Sequence, residues 1–240
     1  MLNHFTFKQC RARFRIADGY DNNNEIITDG DIADLPNIKF LRHGNLKTVI
    51  TGCQFHFHST ARGNFTIVAA ASKSVVHVGP HTRCNADIRL WRNPRVSIGA
   101  HTTINQARLV ADNSDITIKE DCMFSDDIIV QSADQHGLID LETMQFSNGA
   151  RRKIVIGEHV WIGRRSILMP DIEIGAGSVV GAGSTVTKSA TSCSYLVGVP
   201  AKSVRRNASW TRMPNQINQR EERFFERMRT NNAAQKELAQ

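Results

Sequence analysis

Two sets of residues in this 240-residue sequence have the types and spacing to do chemistry. The first is His136, which ends the run Ser132-Ala133-Asp134-Gln135-His136 at the point where a regular pattern breaks off. An imidazole titrates near neutral pH, so it can take up and return a proton under working conditions. Loops thrown out from rigid scaffolds commonly complete functional sites, which favours a working rather than a merely buried His136. The second set is His81, His101 and Asp121, each 20 residues from the next, with His159 in the equivalent place later. Imidazole and carboxylate groups stacked at one interval are Zn²⁺ ligand types. That position is expected to face outward at a turn, where polar residues are freely accepted. His56 and His58 share one strand face, but with no third ligand in view they read as ordinary surface residues.

What positions these residues is a six-residue repeat. Ile156, Ile162, Leu168, Ile174, Val180 and Val186 recur without a miss, and a small or aliphatic residue stands four places after each. Glycine follows the aliphatic at Gly157, Gly163, Gly175 and Gly181. A period of six fits neither an α-helix nor a long strand; it fits a triangular parallel β-helix with three hexapeptides per coil. The aliphatic points inward, and the glycines are expected to permit the tight corner. Upstream, Val78, Cys84 and Leu90 are followed by Ile98, Ile104 and Val110, then Ile118, Phe124 and Val130. A step of eight between triplets makes coils of 20 residues. These stack Val78, Ile98 and Ile118 in one column and Val76, Val96 and Ile116 in another, with His136 next in the second. Residues 137–153 fit no coil and are expected to form an outward loop.

The chain therefore divides into an irregular N-terminal cap or first coils (1–65), the β-helix (66–190) and a C-terminal tail (191–240). The β-helix should hold about five to six coils and be roughly 25–30 Å long. The tail reads as an extended segment, LVGVPAKSVRRN, then a charged helix with an apolar stripe at Ile217, Phe224, Phe225 and Met228 that would dock on a neighbour or on the solenoid flank. No apolar run is long enough to span a membrane, and the N-terminus lacks a signal-peptide core, which favours the cytoplasm. The five cysteines are scattered without metal-type pairing, and Cys84 and Cys122 fall in inward slots, so they read as reduced and structural. A net charge of +7 is partly clustered at Arg151, Arg152 and Lys153 and at Lys202, Arg205 and Arg206. Without interleaved aromatics or a binding motif, nucleic acid is not the expected partner. A phosphorylated cofactor or an anionic sugar polymer is.

With these motifs the sequence resembles the hexapeptide-repeat acyltransferases, in particular the branch that O-acetylates capsular and related surface polysaccharides. The residues that carry the resemblance are the tandem hexapeptides from Ile154 to Ala190, the Ser132–His136 run before its loop, Val160-Trp161-Ile162-Gly163, and Gly198-Val199-Pro200-Ala201-Lys202. Arg206-Asn207-Ala208-Ser209-Trp210 also resembles the tail of capsule-type members. The resemblance implies an all-β fold, a left-handed parallel β-helix assembled as a homotrimer with sites in the clefts between subunits. It also implies acetyl-CoA as co-substrate, a carbohydrate acceptor and no metal.

The family's catalytic histidine matches His136. A sugar hydroxyl is a poor nucleophile, so His136 would serve as the general base. Asp134 stands ready to orient its imidazole or fix the tautomer, and Trp161 is expected to face outward and line the cleft beside it. Carried over by motif, the donor-binding residues are Gly163, Arg164, Ala182, Thr187, Lys188, Lys202 and Arg205, the last two toward the nucleotide phosphates. Arg164 replaces the small residue common after the Trp-Ile-Gly run, and so narrows or charges the cleft. The basic surface favours an anionic acceptor. The alternatives are an N-acetyltransferase for an amino sugar nucleotide, a zinc-dependent solenoid like a carbonic anhydrase, and a non-enzymatic scaffold. Residues 1–65 are short for the nucleotide-binding domain the first often carries, and the pair of histidines five apart expected of the second is absent. The third leaves His136 and Trp161 without purpose.

Overall fold

The computed structural model describes residues 1–44 and 48–238, with side chains described as far as residue 231. Two compact units are present, Met1–Ala208 and Ser209–Gln240. The first is a parallel β-helix of the left-handed hexapeptide kind. Among the described residues, one side of it is an eight-stranded sheet whose successive members include Val75–Val78, Arg95–Ile98, Ser114–Ile118, Arg152–Ile156 and Ile172–Ile174. The other two sides share a 13-stranded sheet, because Arg83–Trp91 and Thr103–Asp112 each run through two sides without a break. The columns read from the spacing are present: Val78 pairs with Ile98, Ile98 with Ile118, and the series continues through Ile156 and Ile174. These side chains are at most 1 % exposed, so the aliphatic at each sixth position is what the core consists of. Burying each contributes roughly 1.5–3 kcal/mol relative to leaving it in water.

The glycines act differently from the expectation. Gly157 and Gly163 do not occupy the left-handed backbone region. They are small because the next coil passes directly over them: a Cβ on Gly157 would lie 2.6 Å from the Ala176 nitrogen, and one on Gly163 would lie 2.6 Å from the Ala182 nitrogen. The left-handed turn of the corner falls two residues later, on His81, His101, Asp121 and His159, with φ between 53° and 59°. Asp and His are among the non-glycine residues that enter this region most readily.

Regular coils reach beyond the 66–190 boundaries. Glu25–Thr28 already pairs in parallel with Gln54–Phe57, and Asn37–Arg42 with Arg62–Ala69. At the other end Ser194–Gly198 stacks on Val179–Val180. The first coils escaped the six-residue pattern because they are filled by aromatics rather than by aliphatics. Phe7, Tyr20, Phe40 and Phe55 form a buried cluster with ring centroids 4.7–6.4 Å apart, which closes the end of the solenoid. All five cysteines are buried, and burial pushes the Cys84 thiol up to about 12.

His56 and His77 stand side by side on adjacent outer strands, ring centroids 5.9 Å apart. Burial, followed by the charge of His77 and His4 and against the pull of Glu25, holds His56 below the usual range. Burial, followed by His58, does the same to His77. The unfolded chain therefore takes up these protons first as pH falls below about 6.5. Stability present above that value should be lost as pH drops through the window between it and the depressed folded values. The melting temperature is expected to fall between about pH 7.5 and about pH 5.5, and His77→Asn should flatten the profile. An unchanged slope in the variant would dismiss this pair as its source.

The second unit carries the predicted charged helix, Gln219–Leu238. Its start is set by Asn218, whose Oδ1 accepts from the Arg220 and Glu221 nitrogens while Glu221 Oε2 accepts from the Asn218 nitrogen. Ile217 lies just before the helix and is exposed. No helix among the described residues is long and apolar enough to cross a membrane.

Candidate active site

His136 does not take the next place in its column. Ile116 pairs with Ile154, so an aliphatic continues the core and His136 stands exposed at the root of the outward loop. The loop is pinned at both ends to the corner of the coil before it. On entry, Ser132 is buried, its hydroxyl meeting the Ser114 hydroxyl and accepting from the Asp112 nitrogen. Asp112, also buried, takes a two-pronged contact from Arg92 at 2.7 and 2.9 Å. On exit, Arg151 grips Asp115 and the Arg152 nitrogen donates to the Asn113 carbonyl.

Asn148 then closes the loop's base. Its amide donates to the His136 carbonyl at 2.8 Å and to Asp134 at 3.4 Å, and its Oδ1 accepts from the Leu138 nitrogen at 2.9 Å. Asp134 thus meets Asn148 rather than the imidazole, and His136 is positioned through its backbone. Asn148 carried no signal in the sequence, because it lies in a segment with no period.

Trp161 occupies the outward place on its strand, in register with Met123 and, a coil earlier, Thr103, as the spacing predicted. It is half-buried, with its indole N–H 3.4 Å from the Ser125 hydroxyl. Trp161 and His136 do not share a corner. His136 hangs from the corner that follows Ile128–Gln131, stacked with residues 169–171 of the next coil through the Ile129–Ile167 and Val130–Leu168 pairs. Between that corner and Trp161–Ile162 lie the turn 163–166 and the strand Ile167–Leu168.

The donor candidates divide the same way. Gly163, Arg164 and Ala182 gather on one corner of adjacent coils, where the Gly183 nitrogen donates to the Arg164 carbonyl at 2.7 Å. Arg164 is held by Asp126 at 2.9 and 3.1 Å. Thr187 and Lys188 are exposed on the other corner, two coils beyond the loop, with the Met169 nitrogen bonded to the Val186 carbonyl. Lys202 and Arg205 lie on Ala201–Arg206, an exposed strand folded back antiparallel on Ser194–Gly198, with Lys202 opposite Val197 beside Gly181. The structure thus sets Lys202 close to the Gly163–Ala182 corner.

Two charge readings change. Arg151 and Arg152 are ion-paired with Asp115 and Asp171, so that cluster locks the loop and offers little free charge. Lys202, Arg205 and Arg206 enter no ion pair among the described residues. The stacked corner is not uniformly outward either. His81 and His101 are stacked with rings 4.9 Å apart, but Asp121 and His159 are buried, and Asp121 Oδ2 lies 2.7 Å from His159 Nδ1. That pair gives the corner a structural use, and no group of three or more metal-ligating side chains occurs among the described residues.

A three-sided coil built on a six-residue repeat is the hexapeptide β-helix fold. A family model described as bacterial transferase hexapeptide (six repeats) matches residues 153–188 of this chain. The chain is 34 % identical over 138 residues to the polysialic acid O-acetyltransferase of Escherichia coli O1:K1 / APEC, which covers 57 % of this chain and 45 % of that protein, so the match spans under half the relative's length. The fold is shared with the solved polysialic-acid-specific acetyltransferase NeuO, with a TM-score of 0.74 and 24 % identity over 88 % of this chain and all of that one. It is shared also with the polysialic acid O-acetyltransferase OatWY, with a TM-score of 0.68 and 19 % identity over 89 % and 94 %.

Proposed function

We propose that the protein transfers an acetyl group from acetyl-CoA to a hydroxyl of a surface polysaccharide or its precursor, with His136 as general base. The observation that carries the reading is the placement of His136, exposed and backbone-clamped at the root of a doubly anchored loop. The imidazole accepts the hydroxyl proton as the sugar oxygen attacks the thioester carbonyl. The tetrahedral intermediate collapses with cleavage of the carbon–sulfur bond, and the proton passes to the departing thiolate. The products are an acetyl ester and CoA. Asp134 and Asn148 hold the backbone that carries the base. Trp161 lines the acceptor side. Gly163 and Ala182 leave a shallow corner against which a pantetheine arm can lie, and Lys202 and Arg205 face the phosphates.

Because His136 and Trp161 hang from different corners of one chain, a complete site needs a second copy, and a homotrimer supplies one at each cleft. Leu141, Met144 and Phe146 on the loop are 82 %, 67 % and 68 % exposed, an apolar surface suited to a neighbouring copy. The cytoplasm, where acetyl-CoA is available, is the compartment this chemistry requires. Calorimetric titration of the untagged protein with acetyl-CoA tests the donor: saturable binding is expected, and none at millimolar ligand would overturn the reading.

A further inference from the structure

The corner between the two sides of the larger sheet is built up gradually along the chain. One residue, Asn85, separates Cys84 from Ala86 in the second of two flat coils; Gly63 and Phe65 are spaced alike in the first. In the next coil two residues separate Ile104 from the aligned Ala107, and in the following one three separate Phe124 from Ile128. The early coils therefore run flat where the later ones turn, and the growing corner stands over them as a ledge. Beneath it is an open cavity of about 400 Å³.

Two rows of outward side chains flank this cavity across three coils. Asn64, Asn85 and Gln106 form one; Thr66, Asp87 and Arg108 form the other. Between the rows, Ala86 and Ala107 take the inward places. The amides are ordered in a ladder: Asn64 donates to Asn85 at 2.8 Å, and Asn85 to the Asn105 carbonyl at 3.1 Å. Asp87 is shared by Arg108 and Arg89 at 3.0 and 3.1 Å, one carboxylate between two guanidinium groups. Asp127 and Ile129 close the end under the ledge.

We infer that this groove binds a sugar unit of the acceptor glycan, through its hydroxyls, away from the site of transfer. Amides that both donate and accept suit vicinal hydroxyls. Ile129 offers an apolar edge to the C–H face of a ring. The strand Ile128–Gln131 starts at the groove's end wall and finishes at the root of the His136 loop. Its four residues span roughly 13 Å. A glycan lying along this outer face would occupy the groove and still present a later unit to His136, so the groove selects long acceptors over short ones. This inference rests on the proposed transfer to a polysaccharide.

Its test is binding without donor, followed by kinetics. Polysialic acid and dextran fragments, each long and short, are titrated into the protein and into Asn85→Ala/Gln106→Ala, whose altered side chains are exposed. The double variant should weaken binding of the long probe it recognises about tenfold. Thr66→Trp, which fills the groove, should abolish it. In acetyl transfer, the variants should raise KM for long acceptors and leave turnover of a monosaccharide unchanged. Equal binding by folded variants, or no binding of either probe by the parent protein, overturns the inference. Groove-dependent binding with no acetyl transfer would instead leave the groove standing and remove the transferase reading.

Discussion

Replacing His136 by alanine should lower turnover by about 10²–10⁴-fold and leave acetyl-CoA affinity and the melting temperature nearly unchanged. The magnitude is that of a positioned general base acting on a hydroxyl that cannot ionise by itself near neutral pH. Stability is spared because the imidazole lies outside the core column, whose place is filled by Ile154. The clamp on the loop is also spared, since Asn148 holds the His136 carbonyl and not its ring. Steady-state rates, a calorimetric titration and a thermal melt on one preparation separate the cases. Loss of binding and folding together would mark His136 as structural.

The second large effect is expected at the hairpin after the last coil. Lys202→Ala with Arg205→Ala should weaken acetyl-CoA binding about 100-fold, in line with the loss of two charge-assisted contacts to phosphate. Both residues are exposed on Ala201–Arg206 and outside any ion pair among the described residues, so removing them leaves no partner stranded. The change should appear in KM for acetyl-CoA with little change in kcat, and it should shrink as salt is raised. Unaltered donor affinity would place the nucleotide elsewhere. Arg164, expected to meet the pantetheine arm through its backbone, has its side chain engaged by Asp126.

Much of the fold was legible because a solenoid repeats one physical problem. Ile98, Ile118 and Ile156 recur for the same reason in each coil, and a spacing is enough to reveal them. The first coils were illegible by that route, since aromatics such as Phe40 and Phe55 fill them in place of the recurring aliphatic. His136 was found for a partly mistaken reason: it interrupts the pattern, but it leaves the core column instead of replacing an aliphatic within it. Asn148 was invisible, because a loop clamp depends on the path of 17 aperiodic residues. The flattening of the coils at Asn64 and Asn85 was equally hidden, for the length of the coil hides how its residues are shared between sides and corners.

The most direct measurement is transfer from acetyl-CoA labelled at the acetyl carbonyl with ¹³C to polysialic acid, read by NMR with and without mild alkali. An alkali-labile ester resonance, formed by the parent protein and absent with His136→Ala, is the predicted result. An alkali-stable amide resonance would indicate an N-acetyltransferase. An ester formed equally well by His136→Ala would contradict the assignment of the base.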